Sequence, residues 1–402
     1  MKKRILIAGA NPYNANKGVA ALAISTIRIL NKVAKEEGID IEICLYNHEF
    51  KHSFDSIDTP EGKVRFQNIF PTHLVKIGDC YSTLTSKWKL YNLRELLKCD
   101  YIFNITAGDS FSDIYGVLNF CSQNEINKLA RLFKKRYAFL PQTYGPFYEE
   151  KVKCMAVESL EAAEYVLSRD KESTTYVMGL LSDKKVEDLL DVAFFLPFEP
   201  MPLHCSDGVN VGINISQTLW DVPEDSKFSV SKDYSGLMID TINNLLDQGY
   251  NVHIIPHVVN SDNSRSNEYY LSYEVWRKIN HPRLILAPFF TSPIEAKSYM
   301  ASLDMFMGAR MHACIGAFSS GVPTLLLAYS RKFSGLFKET LGYEHIADMN
   351  SNMDSKQLMS MVNNMIDNRS SVRAQISTIK NTIVNKKLNT LFTIVGTILK
   401  SL

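Results

Sequence analysis

The sequence predicts an α/β fold in which two Rossmann-like domains face each other across a cleft. Short runs rich in β-branched and aromatic residues alternate with longer segments whose apolar residues recur at helical spacing, which is typical of parallel sheets covered by helices. The alternation is interrupted over residues 194–208 (FFLPFEPMPLHCSDG), where three prolines and no clear period indicate a linker between domains. The length agrees with this division, because 402 residues of which 46% are hydrophobic can bury more than one core.

The elements follow in order along the chain. The predicted strands before the linker are RILIAGA (4–10), DIEICLY (40–46), DYIFNIT (100–106), RYAFLPQ (136–142) and EYVLSRD (164–170). A long helix is predicted over 17–38, closed by Gly38. The predicted strands after the linker are VNVGINIS (209–216), NVHIIPHV (251–258), RLILAPF (283–289), LDMFMGA (303–309) and TLLLAYS (324–330). We therefore predict an N-terminal domain over 1–200 and a C-terminal domain over 207–382, with ligands bound where their strands end.

The last segment, residues 383–402, is predicted to be an amphipathic helix that packs on the protein's own body. Its apolar residues fall on one helical face: Leu388, Leu391, Phe392, Val395, Ile398, Leu399 and Leu402. The alternative is that this face contacts a membrane peripherally or a partner. No window approaches the roughly 18 apolar residues that span a bilayer, and KKRILIAGA is too short for a signal peptide, so a cytoplasmic location is expected.

Charge and cysteine content exclude several classes of function. The net charge is +1 and no dense block of Lys and Arg is present, so nucleic acid is not an expected partner. The seven cysteines are an odd number, widely spaced and without a C-x-x-C pair, which favours buried free thiols in a reducing compartment. No cluster has the spacing of metal ligands, so no metal site is expected.

The most informative segment is MGARMHACIGAFSSGVPTLLLAYS, residues 307–330. A buried strand precedes Arg310, a helix follows it, and Gly321 and Pro323 separate that helix from the next strand. Arg310 and His312 therefore lie at a strand-to-helix turn, where free backbone N–H groups and the positive end of the helix dipole favour an anion. The alternative is structural: Arg310 pairs with an acidic neighbour, and His312 caps the helix.

Two further clusters follow predicted strands. In NITAGDSFSDIYG (104–116), Gly108 permits unusual backbone conformations, while Asp109, Ser110 and Asp113 offer groups that bind hydroxyls or act as a general base. The alternative is an ordinary helix cap rich in Ser and Asp. In LPQTYGPFY, Gln142 and Tyr144 are candidate substrate contacts, with an ordinary loop as the alternative.

Three other segments add candidate residues. The first loop, GANPYNANKGVAALA, lacks the spacing of a dinucleotide site and the lysine of a P-loop, but Asn11 and Asn14 suit sugar hydroxyls, with helix capping as the alternative. His257 ends a strand in IIPHVVNSDN, as a ligand contact or as a satisfied surface histidine. Lys332 and its neighbour Arg331 add positive charge after TLLLAYS, as part of a site or as a solvated turn.

In their order, these motifs resemble the polysaccharide pyruvyl transferase family. The resemblance covers roughly residues 4–340 and is carried by GANPYNANKG, GDSFSDIYG, LPQTYGPF, YVLSRDKES, DVAFFL, IIPHV with Asp262, and GARMHACIGAFSSGVPTLLLAYSRK. It implies a GT-B-like architecture and transfer of a group from phosphoenolpyruvate, as a pyruvate ketal, to a sugar or lipid-linked oligosaccharide of a cell-surface polysaccharide precursor. It also implies that Arg310 and His312 contact phosphoenolpyruvate, with no other cofactor.

The chemistry of phosphoenolpyruvate assigns roles to these residues. Arg310 offers a fork for its carboxylate or phosphate, and His312 is the candidate acid and base or the group that stabilises the departing phosphate. Asp109 or Asp113 would deprotonate or orient the acceptor hydroxyl.

Some members of the family place a second arginine early in the C-terminal domain, where VGINISQTLW here has none. Lys332, His257 and Arg169 are candidates for the missing charge. Two alternatives remain open: a GT-B glycosyltransferase that uses a nucleotide sugar, and a non-catalytic protein that binds a sugar or an anion.

Overall fold

The computed structural model describes residues 2–47, 53–71, 86–182, 185–203, 207–220, 233–259, 267–351 and 353–402. The chain divides into two compact units. Unit 1 comprises Met1–Pro12, Leu22–Phe195 and Lys386–Leu402, and unit 2 comprises Tyr13–Ala21 and Leu196–Asn385. The short segment Tyr13–Ala21 therefore belongs with the second unit, although it lies close to the start of the chain.

Unit 1 is built on a sheet with the strand order β3-β4-β2-β1-β5-β6-β7-β8. The strands are β1 (Lys3–Ala8), β2 (Ile41–Tyr46), β3 (Phe54–Thr59), β4 (Gly62–Ile69), β5 (Tyr101–Asn104), β6 (Arg136–Gln142), β7 (Tyr165–Ser168) and β8 (Val186–Asp188). Neighbouring strands are parallel except for β3 and β4, which form an antiparallel pair. The helices are α1 (Lys17–Glu36), which begins in unit 2, α2 (Lys87–Leu97), α3 (Val117–Leu132), α4 (Glu150–Ala162) and α5 (Lys171–Met178), with 3₁₀ turns at Thr106–Gly108 and Val192–Phe195.

Unit 2 is built on a parallel sheet with the order β11-β10-β9-β12-β13-β14. The strands are β9 (Asn210–Asn214), β10 (Asn251–Ile254), β11 (Leu284–Leu286), β12 (Met305–Gly308), β13 (Thr324–Ala328) and β14 (Ile346–Asp348). The α-helices are α6 (Gln217–Trp220), α7 (Tyr234–Asp247), α8 (Glu268–Ile279), α9 (Pro293–Met300), α10 (Met311–Ser319), α11 (Arg331–Phe333), α12 (Ser355–Asp367) and α13 (Arg369–Ile379). Ser334–Thr340 and Lys380–Val384 are π-helical, and α14 (Asn385–Lys400) follows.

The predicted α/β class with parallel sheets is confirmed. Each strand predicted from the sequence is present, because strands buried on both faces appear as continuous apolar runs. The prediction missed β3, β4, β8 and β14. Strand β3 (FDSIDT) is half-exposed and polar, so no apolar run marks it.

Each sheet has one point where the strand order reverses. In unit 1 the chain adds strands on one side of β1 and then on the other side, so the reversal lies between β1 and β5. In unit 2 the reversal lies between β9 and β12. Ligands of open α/β sheets bind beyond the carboxyl ends of the strands at such points. The residues that follow these four strands are therefore the candidates for ligand contacts.

Helix α14 packs its apolar face on unit 1. Its buried residues are Leu388, Leu391, Val395, Gly396, Ile398 and Leu399. The ring centre of Phe392 lies 5.1 Å from that of Phe195, and a β-carbon on Gly396 would lie 3.5 Å from Val33 of α1 and 3.2 Å from the carboxylate of Glu37, which follows that helix. Within the described part of the chain, no helix combines the length and the apolar character needed to cross a membrane.

The cysteines are free thiols where the structure describes them. Cys44, Cys99 and Cys314 are buried and Cys154 is exposed, while Cys80 and Cys205 lie outside the described residues. The described residues also contain no group of three or more His, Cys, Asp or Glu side chains that could hold a metal ion.

Candidate functional site

Arg310 lies at the point where the strand order of the unit 2 sheet reverses. It follows β12 and is the N-cap residue of α10, and its backbone N–H donates to Asn214 Oδ1, at the end of β9, over 3.0 Å. Gly308 permits this close approach, because a β-carbon there would lie 2.8 Å from the ring of Phe306 and 3.1 Å from Asn214 Cβ. The sequence pattern of a strand, a glycine and a helix therefore places Arg310 where the topology predicts a ligand.

A buried carboxylate holds the Arg310 side chain. Arg310 Nε donates to Glu268 Oε1 over 2.6 Å, and Glu268, the first residue of α8, is fully buried. Glu268 Oε2 accepts from the backbone N–H groups of His257 (2.9 Å) and Val258 (3.1 Å) and from Asn214 Nδ2 (3.3 Å). This network fixes the position of the carboxylate and, through it, the plane of the guanidinium group.

The acidic partner considered in the structural alternative for Arg310 is therefore present, but it engages only one edge of the side chain. No acceptor for the two Nη atoms of Arg310 occurs among the described residues. Although burial disfavours the charged form, Glu268 and Tyr329 raise the pKa of Arg310 above its ordinary value. The group is thus a permanent cation whose terminal edge can still donate to an anion.

His257 is a buried residue of this cluster, and the surface alternative for it is wrong. It is 4% exposed and lies after β10. Burial, together with electrostatic effects of His312, Arg310 and Lys17, holds the pKa of His257 well below its ordinary value. The ring is therefore neutral near pH 7, unless an anion enters the cluster and offsets the neighbouring charges.

The first turn of α1 packs against the same cluster. Asn16 pairs with Val258 in an antiparallel bridge, Lys17 N donates to the carbonyl of His257 over 2.9 Å, and the N–H of Gly18 donates to Asn16 Oδ1 over 2.9 Å. The predicted residue Asn14 supports this turn, because its Oδ1 accepts from Asn16 N over 2.9 Å. The capping role considered for the first loop is therefore present.

Sequence reasoning passed over two charged residues of this site, Glu268 and Lys17. Lys17 is 5% exposed, and its amine has one hydrogen-bond acceptor among the described residues, the carbonyl of Thr291 at 3.4 Å. Burial lowers the pKa of Lys17, while Glu295 opposes this effect. A signal was available in the sequence, because a lysine at the first position of a helix opposes the helix dipole.

The segment VGINISQTLW, which lacks the second arginine, contributes a serine. Ser216 N donates to Tyr234 Oη over 3.3 Å, and its buried hydroxyl has no hydrogen-bond partner among the described residues. The ammonium group of Lys332 lies 5.8 Å from the ring centre of Tyr329. Asp262 lies outside the described residues.

Arg169, a candidate for the missing charge, belongs to the core of unit 1. It is 1% exposed, its Nη1 donates to Asp191 over 2.7 Å, and its Nε donates to Thr143 Oγ1 over 2.8 Å. Arg169 is therefore a buried, ion-paired residue of the unit 1 core.

A second group of predicted residues meets in unit 1, after β5 and β6. Thr106 and Ala107 adopt positive φ angles of 37° and 49°, followed by Gly108 at 89°. Such conformations are uncommon for non-glycine residues and cluster at functional sites. The Gly108 carbonyl accepts from Thr143 N over 2.8 Å, which joins the two loops. A β-carbon on Gly9, after β1, would lie 2.5 Å from Thr106 N, so the loops after β1 and β5 are also in contact.

Gln142 offers an unused donor in this group. The side chain is fully buried, and its Oε1 accepts from Thr106 Oγ1, whereas its Nε2 has no partner among the described residues. Asp109 Oδ2 accepts from Tyr115 Oη over 3.1 Å, and Ser110 is half-buried next to it. Asn11 is buried after β1. Amide, carboxylate and hydroxyl groups in a strained turn are suited to binding the hydroxyls of a sugar.

Two of the predicted substrate contacts in unit 1, Asp113 and Tyr144, use their polar groups in hydrogen bonds to the backbone. The Asp113 carboxylate accepts from the backbone N–H groups of Tyr148 (2.9 Å) and Glu149 (2.9 Å), which fixes the start of α4. Tyr144 is fully buried among Phe111 and Phe139, and its hydroxyl donates to the carbonyl of Leu167 over 2.8 Å. The structure therefore gives both residues roles in packing and loop geometry.

Comparison with known proteins identifies one family. The family model described as polysaccharide pyruvyl transferase matches residues 16–331. The amylovoran biosynthesis protein AmsJ of Erwinia amylovora is 22% identical over 260 residues, which cover 62% of this chain and 61% of AmsJ. This chain thus matches only about three fifths of the length of that curated relative.

Solved structures show the same fold at low identity. The UDP-GlcNAc 2-epimerase of Neisseria meningitidis, solved with UDP-GlcNAc bound, is 10% identical with a TM-score of 0.58, over 99% of this chain and 100% of the other. The glycotransferase of kitacinnamycin is 9% identical with a TM-score of 0.52, over 100% of this chain and 99% of the other. The predicted class of two Rossmann-like domains with GT-B-like architecture is therefore confirmed, and this likeness shows the fold alone.

Proposed function

Because the chain belongs to the polysaccharide pyruvyl transferase family, we propose that it transfers a pyruvate ketal from phosphoenolpyruvate to a sugar of a cell-surface polysaccharide precursor. The observation that carries this proposal is the Arg310 side chain, held by the buried Glu268 carboxylate at the N terminus of α10. An arginine held in a fixed position at a helix N terminus suits a small ligand that bears both a carboxylate and a phosphate.

The donor is assigned to unit 2. The free edge of Arg310 donates two parallel hydrogen bonds to the donor carboxylate, a geometry that a guanidinium group matches better than an ammonium group. His312, in the first turn of α10, and His257 lie in the same cluster, and the donor's negative charge would raise the lowered pKa of His257. The backbone N–H groups in the first turn of α10 add to the stabilisation of that charge.

The reaction balances without a redox step or a further cofactor. One acceptor hydroxyl adds to C2 of phosphoenolpyruvate while the methylene carbon takes up a proton and becomes a methyl group. The bond from C2 to the phosphate oxygen then breaks, and a second hydroxyl of the same sugar forms the second C–O bond. Of the two hydroxyl protons, one is accounted for by the methyl group and the other by the departing phosphate. His312 is the proposed acid for the methylene carbon or for the phosphate.

The acceptor is assigned to unit 1, in the group formed by Gly108, Asp109, Ser110 and Gln142. Asp109 is the proposed base, because the Asp113 carboxylate already accepts backbone N–H groups. The unused Gln142 amide is the proposed donor to a sugar oxygen. We further propose that the enzyme acts in the cytoplasm on a sugar or lipid-linked oligosaccharide, with phosphoenolpyruvate as its donor substrate and no separate cofactor.

The test is phosphate release that depends on an acceptor. The purified chain is incubated with phosphoenolpyruvate and a panel of lipid-linked or nitrophenyl sugars, and release is compared for wild type, Arg310→Ala and Arg277→Ala. Arg277 is an exposed arginine of unit 2 that pairs with Glu274, so this control removes the same side chain from the surface. We expect Arg310→Ala to abolish release and Arg277→Ala to retain it.

Two outcomes contradict the proposal. Transfer from a nucleotide sugar, without phosphate release from phosphoenolpyruvate, indicates the glycosyltransferase alternative. Binding of phosphoenolpyruvate or a glycan with no release for any acceptor indicates the non-catalytic alternative. The product of a positive reaction is a ketal, so mass spectrometry of the acceptor must show the addition of one pyruvate with the loss of water.

A further inference from the structure

Lys17 occupies a position that is unfavourable to a positive charge in three respects. Its side chain is buried, with only 5% of the residue exposed, and this burial lowers its pKa. It is the first residue of α1, a 20-residue helix with no acidic residue in its first turn, so it lies at the positive end of the helix dipole. It also lies close enough to His257 to lower the pKa of that ring, together with Arg310 and His312.

Nearby hydrogen bonds and charges do little to stabilise the buried ammonium group of Lys17. A lysine ammonium group has three donors, and the Lys17 amine has a single acceptor among the described residues, the Thr291 carbonyl at 3.4 Å. Glu295 is the opposite charge that affects Lys17, but its carboxylate accepts from Thr291 N and from the backbone of Ser292 at the start of α9. No ion pair of Lys17 occurs in the described part of the chain.

A second buried lysine of unit 2 shows what a structural lysine looks like here. Lys297 is 1% exposed, its amine donates to the carbonyl of Leu196 over 2.8 Å, and it lies 4.9 Å from the ring centre of Phe198. Lys297 is in the last turn of α9, where a cation is favoured by the helix dipole. Lys17 has the opposite placement in its helix and a longer hydrogen bond.

We propose that Lys17 is the second cation of the donor site and that its amine binds the phosphate of the donor. This inference rests on the proposed function, since the donor is taken to be phosphoenolpyruvate. Lys17 stands in for the second arginine that the segment around Ser216 lacks. The missing charge is thus supplied by the segment Tyr13–Ala21, which packs with unit 2.

The shapes of the two cations indicate which donor group each one binds. The planar fork of Arg310 matches a carboxylate, whereas an ammonium group acts as a point charge suited to a phosphate. A dianionic phosphate beside Lys17 would offset all three unfavourable terms at once: the lost hydration, the helix dipole and the neighbouring positive charges. Groups held in such positions are expected at binding sites and disfavoured elsewhere.

The experiment compares Lys17→Met, Lys17→Arg and the matched control Lys297→Met in the full chain. Binding is measured by calorimetry with phosphoenolpyruvate, inorganic phosphate and pyruvate as separate probes, and Tm is measured without ligand. We expect Lys17→Met to weaken the binding of phosphoenolpyruvate and of phosphate by roughly 10- to 100-fold, while pyruvate binding changes little. Lys17→Arg retains charge and should recover part of the loss.

The unliganded protein distinguishes a binding role from a structural one. If Lys17 is present for the ligand, Lys17→Met raises Tm, because a buried, poorly compensated charge is removed. Lys297→Met should lower Tm and leave the affinity for phosphoenolpyruvate unchanged. A lower Tm for Lys17→Met with unchanged phosphate affinity overturns the inference.

The outcomes also separate this inference from the proposed function. If wild type binds inorganic phosphate in a manner that depends on Lys17 but neither binds phosphoenolpyruvate nor releases phosphate from it, the donor assignment fails while Lys17 remains a phosphate ligand. If wild type transfers pyruvate and Lys17→Met has unchanged kcat and KM, the donor assignment stands and the Lys17 inference fails. If wild type binds none of the probes, both fail.

Discussion

The imidazole ring of His312 occupies the space that a side chain on Gly18 would need. An ideal β-carbon on Gly18 would lie 2.4 Å from His312 Nδ1 and 2.6 Å from Cγ, distances that real β-carbons essentially never show. Gly18 is in the first turn of α1 and His312 in the first turn of α10. The position of the proposed acid therefore depends on the absence of a side chain on another helix.

Gly18→Ala should displace His312 and lower kcat. Because the β-carbon would meet the ring at 2.4 Å, the ring must move, and misplacement by about 1 Å costs on the order of 100-fold in rate. Steady-state kinetics should show a large drop in kcat with a smaller change in KM for phosphoenolpyruvate.

The matched control is Gly179→Ala, at the end of α5 in unit 1. Its β-carbon would meet its nearest neighbour, the Tyr176 carbonyl oxygen, at an ordinary 3.5 Å. An unchanged kcat for Gly18→Ala would contradict the proposed role of His312, provided that Tm shows a folded protein.

Glu268→Gln should lower both stability and activity. The amide keeps one oxygen for the N–H groups of His257 and Val258 but removes the charge that faces Arg310. Breaking a buried ion pair typically lowers the free energy of unfolding by about 3 to 5 kcal/mol. Denaturant unfolding measures this change, and kcat/KM should fall because the guanidinium group loses its fixed orientation.

Glu274→Gln on the same helix provides the comparison. Glu274 pairs with Arg277 over 2.8 Å on the surface, where solvent screening leaves such pairs with little effect on stability. If the two variants have the same stability and activity, Glu268 does not position the guanidinium group of Arg310.

Replacement of Asp109 should lower activity, whereas replacement of Asp113 should lower stability. Asp109→Asn removes the proposed base and should lower kcat strongly, while the amide oxygen can still accept from the Tyr115 hydroxyl, so Tm should change little. Asp113→Ala leaves buried backbone N–H groups of Tyr148 and Glu149 without their acceptor, which should lower the free energy of unfolding by about 1 to 3 kcal/mol. A variant of Asp113 that is fully stable but inactive would reverse the assignment.

Local sequence patterns were sufficient to predict the strand, turn and helix that carry the proposed donor site. An apolar run, a glycine and a second apolar segment are contiguous signals, and they predict that Arg310 and His312 lie at a strand-to-helix turn. Apolar runs also predicted the strands that flank the reversal of strand order in each unit.

The remainder of the site depends on contacts that are remote in sequence. Glu268 and Arg310 are 42 positions apart, and nothing near either residue specifies the other. Lys17 reaches the cluster because the segment before α1 pairs with Val258. Tyr144 shows the complementary limit: it follows a strand among polar residues, yet its ring points into the aromatic core, a direction that composition does not reveal.

Stability should fall as the pH is lowered below about 6.5, because two buried histidines resist protonation. Burial lowers the pKa of His253 to about 4, and burial with neighbouring cations holds the pKa of His257 well below 6.5. In the unfolded chain both rings titrate near their ordinary pKa of about 6.5. Below that pH the unfolded chain binds protons that the folded chain does not. The free energy of unfolding therefore keeps its full value above about pH 6.5 and falls below it by up to about 1.4 kcal/mol per pH unit for each ring.

Replacement of one ring at a time identifies the source of this slope. His257→Gln and His253→Gln should each flatten the dependence of unfolding free energy on pH between about 6.5 and 5, measured by denaturant titration. The two rings differ in their response to ligand. Bound phosphoenolpyruvate supplies negative charge to the cluster of His257, so it should reduce the slope in wild type and in His253→Gln but not in His257→Gln. His253 instead contacts Tyr299 Oη (2.7 Å) and Asn210 Oδ1 (3.1 Å), away from the charged residues of that cluster. A slope that the ligand changes equally in both variants would place the anion elsewhere than beside His257.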